Sequence, residues 1–365
     1  MNLHLFTSTP AGAKPAARLL PLMALAALLS ACGGGSDGDG DGSALPAAPP
    51  AQAAAPASPN PSLAVTSGAP PSYPPGSEEL AAYLLLNAER GRCGFGLLAA
   101  SAPLDAAARA HADYLIINSL NSHLQNASQY PEGFTGTDPA ARVRAQGYTD
   151  LGGVTDEFAF FTSSRPPLSK RGIGVLGVRG LLNAPYHLNG LMSGYRDVGF
   201  AVRSKEDTGK GQEGVFVQIN AAYTASAGPQ LLGSSDVQTY PCEGTTGVNR
   251  QLTNETPNPV PGRDLRTAPL GSTVYIAVRQ GNRLAITRAA MTRAATGEAV
   301  ALRPPVTSAS DPYGPCLTGC FAPHQAYVVP DAPLLPETAY TVMLGGTNNG
   351  TAFSRSFTFS TGSGD

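Results

Sequence analysis

The segment LDAAARAHADYLIINSLNSHLQNASQYPEGFTGTDPAARVRAQGY, residues 104–148, decides the fold of the region around it. Leu104, Ala108, His111 and Leu115 recur at steps of four and three, which is the period of one face of an α-helix. We therefore predict an alanine-rich helix that turns this face to a core. His111 is interpreted as a core histidine because it lies on the buried stripe.

His123 is predicted to lie just beyond the end of this helix. The helix should stop within residues 118–122, where short polar side chains compete for the backbone hydrogen bonds. A loop rich in Gly, Pro and Thr follows. Asp138-Pro139, a cap followed by a first-turn proline, then begins a second, shorter helix. A histidine at a helix terminus beside such a loop is typical of one wall of a functional site.

The amino-terminal residues carry the pattern of an exported lipoprotein. Lys14 and Arg18 precede an apolar run, residues 19–29, which is too short to span a bilayer and is typical of a secretory signal peptide. The run ends in Leu-Ser-Ala-Cys, which resembles a bacterial lipobox. We therefore predict that residues 1–31 are a lipoprotein signal peptide and that Cys32 carries the lipid. The alternative is ordinary signal cleavage, with Cys32 as an incidental thiol.

Residues 32–76 are predicted to form a disordered tether between the membrane and the folded part. They are rich in Gly, Asp and Ser and then in Pro and Ala, with almost nothing to bury. Such a segment cannot offset the entropy lost on ordering. Because Gly33 rather than Asp follows the cysteine, the lipoprotein sorting pattern indicates the outer membrane as the destination.

The charge of the chain excludes one class of partner. Charged residues make up 14% of the sequence and the net charge is -2, so there is no electrostatic case for nucleic acid. The length beyond the tether is sufficient for two domains.

The cysteines suggest disulfides, because the chain is exported. Apart from Cys32, four cysteines remain, which indicates two disulfides with three possible pairings. Cys316 and Cys320, in CLTGC, could close a small loop, and Cys93 would then pair with Cys242.

Residues 77–228 are predicted to form an α+β domain. The helical segments are followed by an alternating stretch, VTDEFAFF at 154–161, which predicts a strand that carries Glu157. A weak helix is expected around residues 175–182, and an Ala-Pro-Tyr-His turn should carry His187. Two further strands, DVGFAVR and VFVQINAAY, close the domain. Helices and strands without a βαβ rhythm indicate helices packed on an antiparallel sheet.

The last part of the chain is predicted to be all-β. Residues 229–268 are rich in Pro, Gly, Thr and Asn and are interpreted as a connector, which would let the two domains either pack or move independently. Residues 269–365 contain short alternating stretches separated by turn residues, at the spacing of a β-sandwich.

Several motifs within residues 77–228 occur in the order of a bacterial CAP domain, the superfamily of cysteine-rich secretory proteins, antigen 5 and pathogenesis-related proteins. They are LNAER at 86–90, ARAHA at 108–112, NSH at 121–123, Arg142 with Gly147-Tyr148, Asp156-Glu157, APYH at 184–187 and DVGF at 197–200. The resemblance implies an α-β-α sandwich with a central cleft that holds two histidines and acidic residues.

The resemblance also implies which residues line that cleft. His123 and His187 match the cleft histidines, and Glu157 lies where the family has a Gly-Glu-Asn motif, although its context here is Thr-Asp-Glu-Phe. The family's second cleft glutamate should lie between Glu157 and His187, where this chain has no Asp or Glu. Asp156 is the nearby substitute, but as the strand neighbour of Glu157 it should face the other way.

These residues raise the question of a metal site. Two imidazoles and a carboxylate can hold Zn²⁺ with water as the fourth ligand, so His123, His187 and Glu157 are the candidate ligands. Some relatives with the complete acidic set bind such metals. The alternative is that both histidines are hydrogen-bonded cleft residues without a metal.

The end of the chain resembles the last strands of bacterial immunoglobulin-like surface modules. The matching segments are PLLPETAYTV at 333–342 and FTFST at 357–361. Such modules act as spacers or adhesion units, and we predict a structural role for this domain.

Together these patterns favour a lipid-anchored surface protein that binds an extracellular ligand or partner through the two-histidine cleft. The resemblance implies a small hydrophobic molecule or a protein as the ligand. The first alternative is a Zn²⁺-dependent hydrolase acting on peptide or cell-wall material, and the second is a structural lipoprotein with a vestigial cleft. The chain has no counterpart of the family's second cleft glutamate, and the sequence shows no pair of nucleophile and base beside the histidines. Both observations favour the non-enzymatic interpretations.

Overall fold

The computed structural model describes residues 2–5, 63–68, 70–162, 170, 172–314 and 320–363, with only the backbone described for residues 2–5. The predicted lipid site Cys32 and the chain from residue 6 to residue 62 lie outside the described residues, as does Cys316. We refer to residues 63–228 as the amino-terminal region and to residues 229–363 as the carboxy-terminal region.

The amino-terminal region is built from helices and one sheet, which the strand at residues 2–5 joins. The elements in chain order are β1 (Asn2–Leu5), α1 (Glu78–Arg92), β2 (Ala99–Ala100), α2 (Ala102–Ile117), α3 (Pro139–Ala145), β3 (Leu151–Thr162), α4 (Ile173–Leu181), α5 (Pro185–Met192), β4 (Asp197–Ser204), α6 (Lys205–Thr208) and β5 (Val215–Thr224). Among the described residues the strand order is β1-β3-β5-β4-β2, antiparallel except for the β2–β4 pair.

Helices cover both faces of this sheet. On one face, Phe158 and Phe216 pack with Tyr114 of α2. On the other face, Ala159 and Val217 belong to a core that also contains residues of α1, α4 and α5. The α+β class predicted from the sequence is therefore present. Among the described residues, no helix combines the length and the apolar character needed to cross a membrane.

The carboxy-terminal region consists of strands. They are β6 (Val237–Tyr240), β7 (Val274–Val278), β8 (Leu284–Arg293), β9 (Ala299–Val300), β10 (Val306–Thr307), β11 (Gln325–Val328), β12 (Ala339–Asn348) and β13 (Thr351–Ser360). Within the described residues they form two antiparallel four-stranded sheets, β10-β11-β7-β6 and β13-β12-β8-β9. Side chains of both sheets share one core, which contains Ile276 and Val328 from the first sheet and Val342 and Phe359 from the second.

The sheet β10-β11-β7-β6 is buried on both faces. Ile276 of β7 points into the core between the two sheets. Tyr275 and Ala277, its neighbours on the strand, belong to the core of the amino-terminal region. The two regions therefore pack against each other, which settles the choice between packing and independent movement that the connector composition left open. All the described residues belong to one compact unit.

Residues 229–268, interpreted from composition as a connector, contribute to this packing. Strand β6 lies within them and pairs with β7. The predicted disulfide Cys93–Cys242 is present and joins the end of α1 to the chain just after β6. Cys320 is disulfide-bonded, and its predicted partner Cys316 is outside the described residues.

Two further segments differ from the sequence-based expectation. The residues around His187, expected as a turn, form α5, which has Pro185 in its first turn and is buried along nearly its whole length. A helix buried all round shows no amphipathic period, which is why the pattern did not reveal it. Tyr73 lies within residues 32–76, the predicted tether, and it packs on Tyr83 and Phe200 and donates a hydrogen bond to Asp105 at 2.7 Å.

Candidate functional site

His123 lies in the loop between α2 and α3, where buried contacts hold it from two sides. Its ring packs on Phe158 with the centroids 4.8 Å apart, and only 7% of the residue is exposed. Its backbone carbonyl accepts a hydrogen bond from Arg142 Nη1 at 2.9 Å. The preceding carbonyl, of Ser122, accepts one from His111 Nε2 at 3.0 Å. His111 is fully buried, as the helical stripe predicted, and it serves to fix the loop that carries His123.

Asp156 orients the His123 ring. His123 Nδ1 donates to Asp156 Oδ2 at 2.7 Å, and Gln218 Nε2 donates to Asp156 Oδ1 at 2.9 Å. Arg142 Nη2 forms an ion pair with Asp156 Oδ1 at 3.0 Å. Burial opposes the ionisation of Asp156, but the Arg142 guanidinium and the His111 and His123 imidazoles outweigh it and hold the carboxyl pKa below its usual range. Asp156 is therefore an ionised carboxylate.

His111 stays neutral beside this cluster. Burial and the neighbouring Arg142 guanidinium lower its pKa to about 3, although the carboxylate of Asp156 acts in the opposite direction. Its Nδ1 lies 3.0 Å from the Gln125 amide nitrogen, so the ring takes the tautomer with the proton on Nε2.

Glu157 faces the opposite side of β3 from Asp156, as the strand alternation predicted. Its Oε1 accepts a hydrogen bond from Thr155 at 2.5 Å, and its Oε2 lies 3.9 Å from His187 Nε2. A side chain at Gly190 of α5 would overlap the carboxyl group, so this glycine allows the close approach of helix and strand. Burial raises the pKa of Glu157 to about 7.

His187 is fully buried on α5 and lies between two carboxyl groups. Its Nε2 faces Glu157, and its Nδ1 lies 3.3 Å from Glu255 Oε1, which also accepts a hydrogen bond from the Tyr186 backbone at 2.8 Å. Burial raises the pKa of Glu255 well above its ordinary value. Glu255 Oε2 makes no hydrogen bond within the described part of the chain.

Glu255 is the functional residue that the sequence did not indicate. It lies 68 residues beyond His187 along the chain. It belongs to the stretch interpreted as a connector, and its carboxyl group lies beside His187. A single acid within Asn, Thr and Pro residues gives no period or motif, so no sequence signal would have found it.

The three predicted cleft residues come together in the structure. The His123 and His187 rings, presented by a loop and a helix, lie with their centroids 6.4 Å apart, and Glu157 is beside His187. Each histidine has its Nδ1 against a different carboxyl group, Asp156 for one and Glu255 for the other. The arrangement can accept and donate hydrogen bonds and can hold a proton on Glu157 near neutral pH.

The fit of a metal to these donors was the open question. Across the residues that the structure describes, no group of three or more His, Cys, Asp or Glu side chains is arranged to hold a metal ion. Imidazole nitrogens and a carboxylate are donors that Zn²⁺ takes, so a metal at His123, His187 and Glu157 stays a proposal for experiment, and no chemical step is derived through it.

No protein-family model matches the chain, and a search of curated proteins found no match. A function for this chain is accordingly proposed from its own motifs and geometry.

Proposed function

We propose that the protein is a lipid-anchored extracellular protein that binds its ligand at the cleft formed by His123, Glu157 and His187. The observation that carries this proposal is the placement of each histidine Nδ1 against its own buried carboxyl group, Asp156 and Glu255. A ring held in this way keeps one tautomer and one orientation before a ligand arrives, which lowers the cost of binding.

The chemistry of the cleft indicates what it recognises. A neutral imidazole that donates from Nδ1 has an acceptor at Nε2. Glu157, with its pKa of about 7, supplies a carboxyl proton over much of the neutral range. Acceptors beside a donor suit a hydroxyl or amide group of the ligand. Because His123 and Glu157 are only 7% and 6% exposed, the ligand would contact the cleft with one polar end.

The anchoring part of the proposal comes from the amino terminus. The signal peptide pattern, the lipobox-like tetrad and the Gly- and Pro-rich tether would place the folded part outside the cell, attached to the outer membrane through Cys32. Lipidation of Cys32 is tested directly by growing cells that produce the protein with labelled palmitate. Label should be incorporated and should disappear in Cys32→Ser.

The binding proposal is tested with NMR of protein labelled with ¹⁵N in its histidines. Solvent-extracted envelope lipids, soluble cell-wall fragments and low-mass medium components are added as separate fractions. We expect one fraction to shift the Nε2 signals of both His123 and His187, and Glu157→Gln to weaken the effect. The matched control is His324→Ala, a histidine outside the cleft. If no fraction shifts either ring, the cleft is not a binding site and the vestigial interpretation holds.

A metal-dependent hydrolase remains the second candidate, and one observation favours it. Histidines whose second nitrogen lies against a carboxyl group are typical of metal sites, where the carboxylate orients the ring. Zinc titration calorimetry tests this candidate with His123→Ala and His187→Ala. One site of micromolar or better affinity, lost in both variants and weakened about tenfold or more in Glu255→Gln, would support it. If the folded protein gives no heat of zinc binding, the metal-dependent hydrolase is excluded as a candidate.

A further inference from the structure

A cavity of about 320 Å³ lies where the amino-terminal region meets the sheet β10-β11-β7-β6. Aromatic rings line it from both regions. They are Phe95, Tyr195, Tyr223 and Tyr275. None of the cleft residues His123, Glu157 and His187 lines it, so it is separate from the proposed cleft. Its volume lies at the lower end of the range for small-molecule pockets.

Within the described residues, the lining of this junction cavity carries no formal charge. The residues that line it there include no Asp, Glu, Lys or Arg side chain. Its one titratable imidazole belongs to His324, a half-buried residue whose pKa is lowered by burial, so that it is neutral at physiological pH. A charged ligand would lose its hydration here without gaining a counter-charge, which is costly. The lining therefore selects against ions of either sign.

Two buried amide groups give the cavity a polar side. Asn189 Oδ1 accepts a hydrogen bond from the Tyr275 hydroxyl at 3.1 Å. The amide nitrogens of Asn189 and Gln325 make long contacts of 3.4 Å, to the Cys320 carbonyl and to Ser193 Oγ. Long bonds of this kind are weak, and a ligand hydroxyl could take their place at little cost. Met192, Leu231 and Leu232 supply an apolar side.

We propose that the junction cavity binds an uncharged aromatic molecule that carries a hydroxyl group. The tyrosine and phenylalanine rings would pack edge-on or offset against the ligand ring, and the amides of Asn189 and Gln325 would hydrogen-bond its hydroxyl. The absence of charge in the lining sets the specificity. This site is additional to the two-histidine cleft and does not depend on it.

The test uses three probes that share one ring system and differ in charge: 1-naphthol, 1-naphthalenesulfonate and 1-naphthylmethylammonium. Binding to the folded protein is measured by titration calorimetry. We expect 1-naphthol to bind with one-to-one stoichiometry and both charged probes to bind at least about tenfold more weakly. Equal binding of the three probes, or no binding of 1-naphthol at millimolar concentration, would overturn the proposal.

Three variants locate the binding. Ala322→Phe fills the cavity and should abolish 1-naphthol binding, whereas Ala332→Phe, the same change at an exposed alanine, should leave it intact. Leu232→Lys introduces a positive charge into the lining, so it should gain affinity for the sulfonate at the expense of 1-naphthol. This reversal requires folded protein and therefore cannot arise from unfolding. Binding that is unchanged in Ala322→Phe would contradict the assignment.

The cleft and the cavity can be tested apart. His123→Ala removes a cleft residue and should leave 1-naphthol binding unchanged, because His123 does not line the cavity. If no fraction shifts the cleft histidines but 1-naphthol binds, only the proposal for the junction cavity stands. If a fraction shifts the cleft histidines but 1-naphthol does not bind, only the proposal for the cleft stands.

Discussion

Asp156 and Glu157 are adjacent acids whose surroundings push their pKa values in opposite directions. Both are buried, but Asp156 faces Arg142 and His123, which stabilise its charge. Glu157 faces α5, where burial dominates and its pKa rises to about 7. The alternation of side chains along β3 thus gives one acid that is always ionised and one that holds a proton near neutral pH.

The raised pKa of Glu157 predicts how stability should change with pH. At pH values well below 4.5 the carboxyl is protonated in both the folded and the unfolded chain, so it contributes no difference. As the pH rises through 4.5 to about 7, the unfolded chain ionises first and folding is disfavoured. At about 1.4 kcal/mol per pKa unit, the decrease in the free energy of unfolding reaches about 3 kcal/mol above pH 7.

Glu157→Gln should therefore gain stability relative to the wild type as the pH is raised from 4 to 8. Urea unfolding at several pH values measures this difference, which should grow by up to about 3 kcal/mol. Glu213→Gln is the control, because the Glu213 side chain is 72% exposed. A difference that does not vary with pH would show that Glu157 is not protonated by burial.

Asp156→Asn should destabilise the fold, because it leaves Arg142 buried beside a neutral amide. Removing one partner of a buried ion pair costs about 3 kcal/mol or more. Chemical unfolding compares it with Asp331→Asn, whose side chain is half exposed and pairs with Arg303 and Arg263 at the surface. The surface change should cost less than about 1 kcal/mol. Equal costs for the two variants would mean that the buried pair contributes little.

At the residue scale, the sequence indicated three of the residues that the structure brings together at the candidate site. His123, Glu157 and His187 were found because they lie in short motifs with a known order. Glu255 was not found, because its position is set by the packing of the two regions rather than by local pattern. The pairing of Asp156 with His123 likewise depends on a loop whose path follows from His111 and Arg142.

At the scale of elements, α2 approaches β4 closely at a glycine. A Cβ at Gly199 would overlap backbone atoms of Leu104 and Asp105 at the start of α2. Asp105 Oδ1 in turn accepts a hydrogen bond from the Phe200 backbone nitrogen at 2.8 Å. The glycine therefore lets the helix sit directly on the strand.

Gly199→Ala should lower the free energy of unfolding by about 3 kcal/mol, because the helix must shift to admit the methyl group. The matched control is Gly345→Ala, also within a strand, where the nearest atom to the added Cβ, Arg288 Cβ, is at 3.6 Å. The control should change stability by less than about 1 kcal/mol. Thermal unfolding measures the stability of both variants. If Gly199→Ala is as stable as Gly345→Ala, helix α2 shifts without cost to admit the methyl group.

The helices and strands differ in how well the sequence predicted them. Helix α2 was predicted because its buried face carries a helical period, and strand β3 because VTDEFAFF at 154–161 was interpreted as an alternating stretch. Helix α5 was missed because it is buried along nearly its whole length. Strand β6 was missed because it is four residues long and lies among turn-forming residues.

At the scale of the whole molecule, the two regions share a sheet that belongs to the core of both. Tyr186 donates a hydrogen bond to Asp311 at 2.9 Å, and Thr273 donates one to the Asn183 carbonyl at 2.6 Å. These contacts are buried and lie between the regions. The sequence indicated two domains from a change of pattern, but a change of pattern carries no information about packing between them.

The part of the chain that the structure describes should therefore unfold as one cooperative unit. Calorimetry should show a single thermal transition whose calorimetric and van't Hoff enthalpies agree. A fragment that ends at residue 228 should lack a stable fold, because it would expose the surface that packs on Tyr275 and Ala277. Two separate transitions, or a stably folded fragment, would show that the regions are independent.

The disulfide between Cys93 and Cys242 has a mechanical consequence. It closes a covalent loop with a sequence separation of 149 residues, and His123, Glu157 and His187 all lie inside that loop. Tension applied between the two ends of the chain passes through the sulfur bridge and bypasses the loop. Roughly 500 Å of chain would then stay hidden from stretching. A protein held at a cell surface under shear would keep these residues out of the line of force for as long as the bridge remains oxidised.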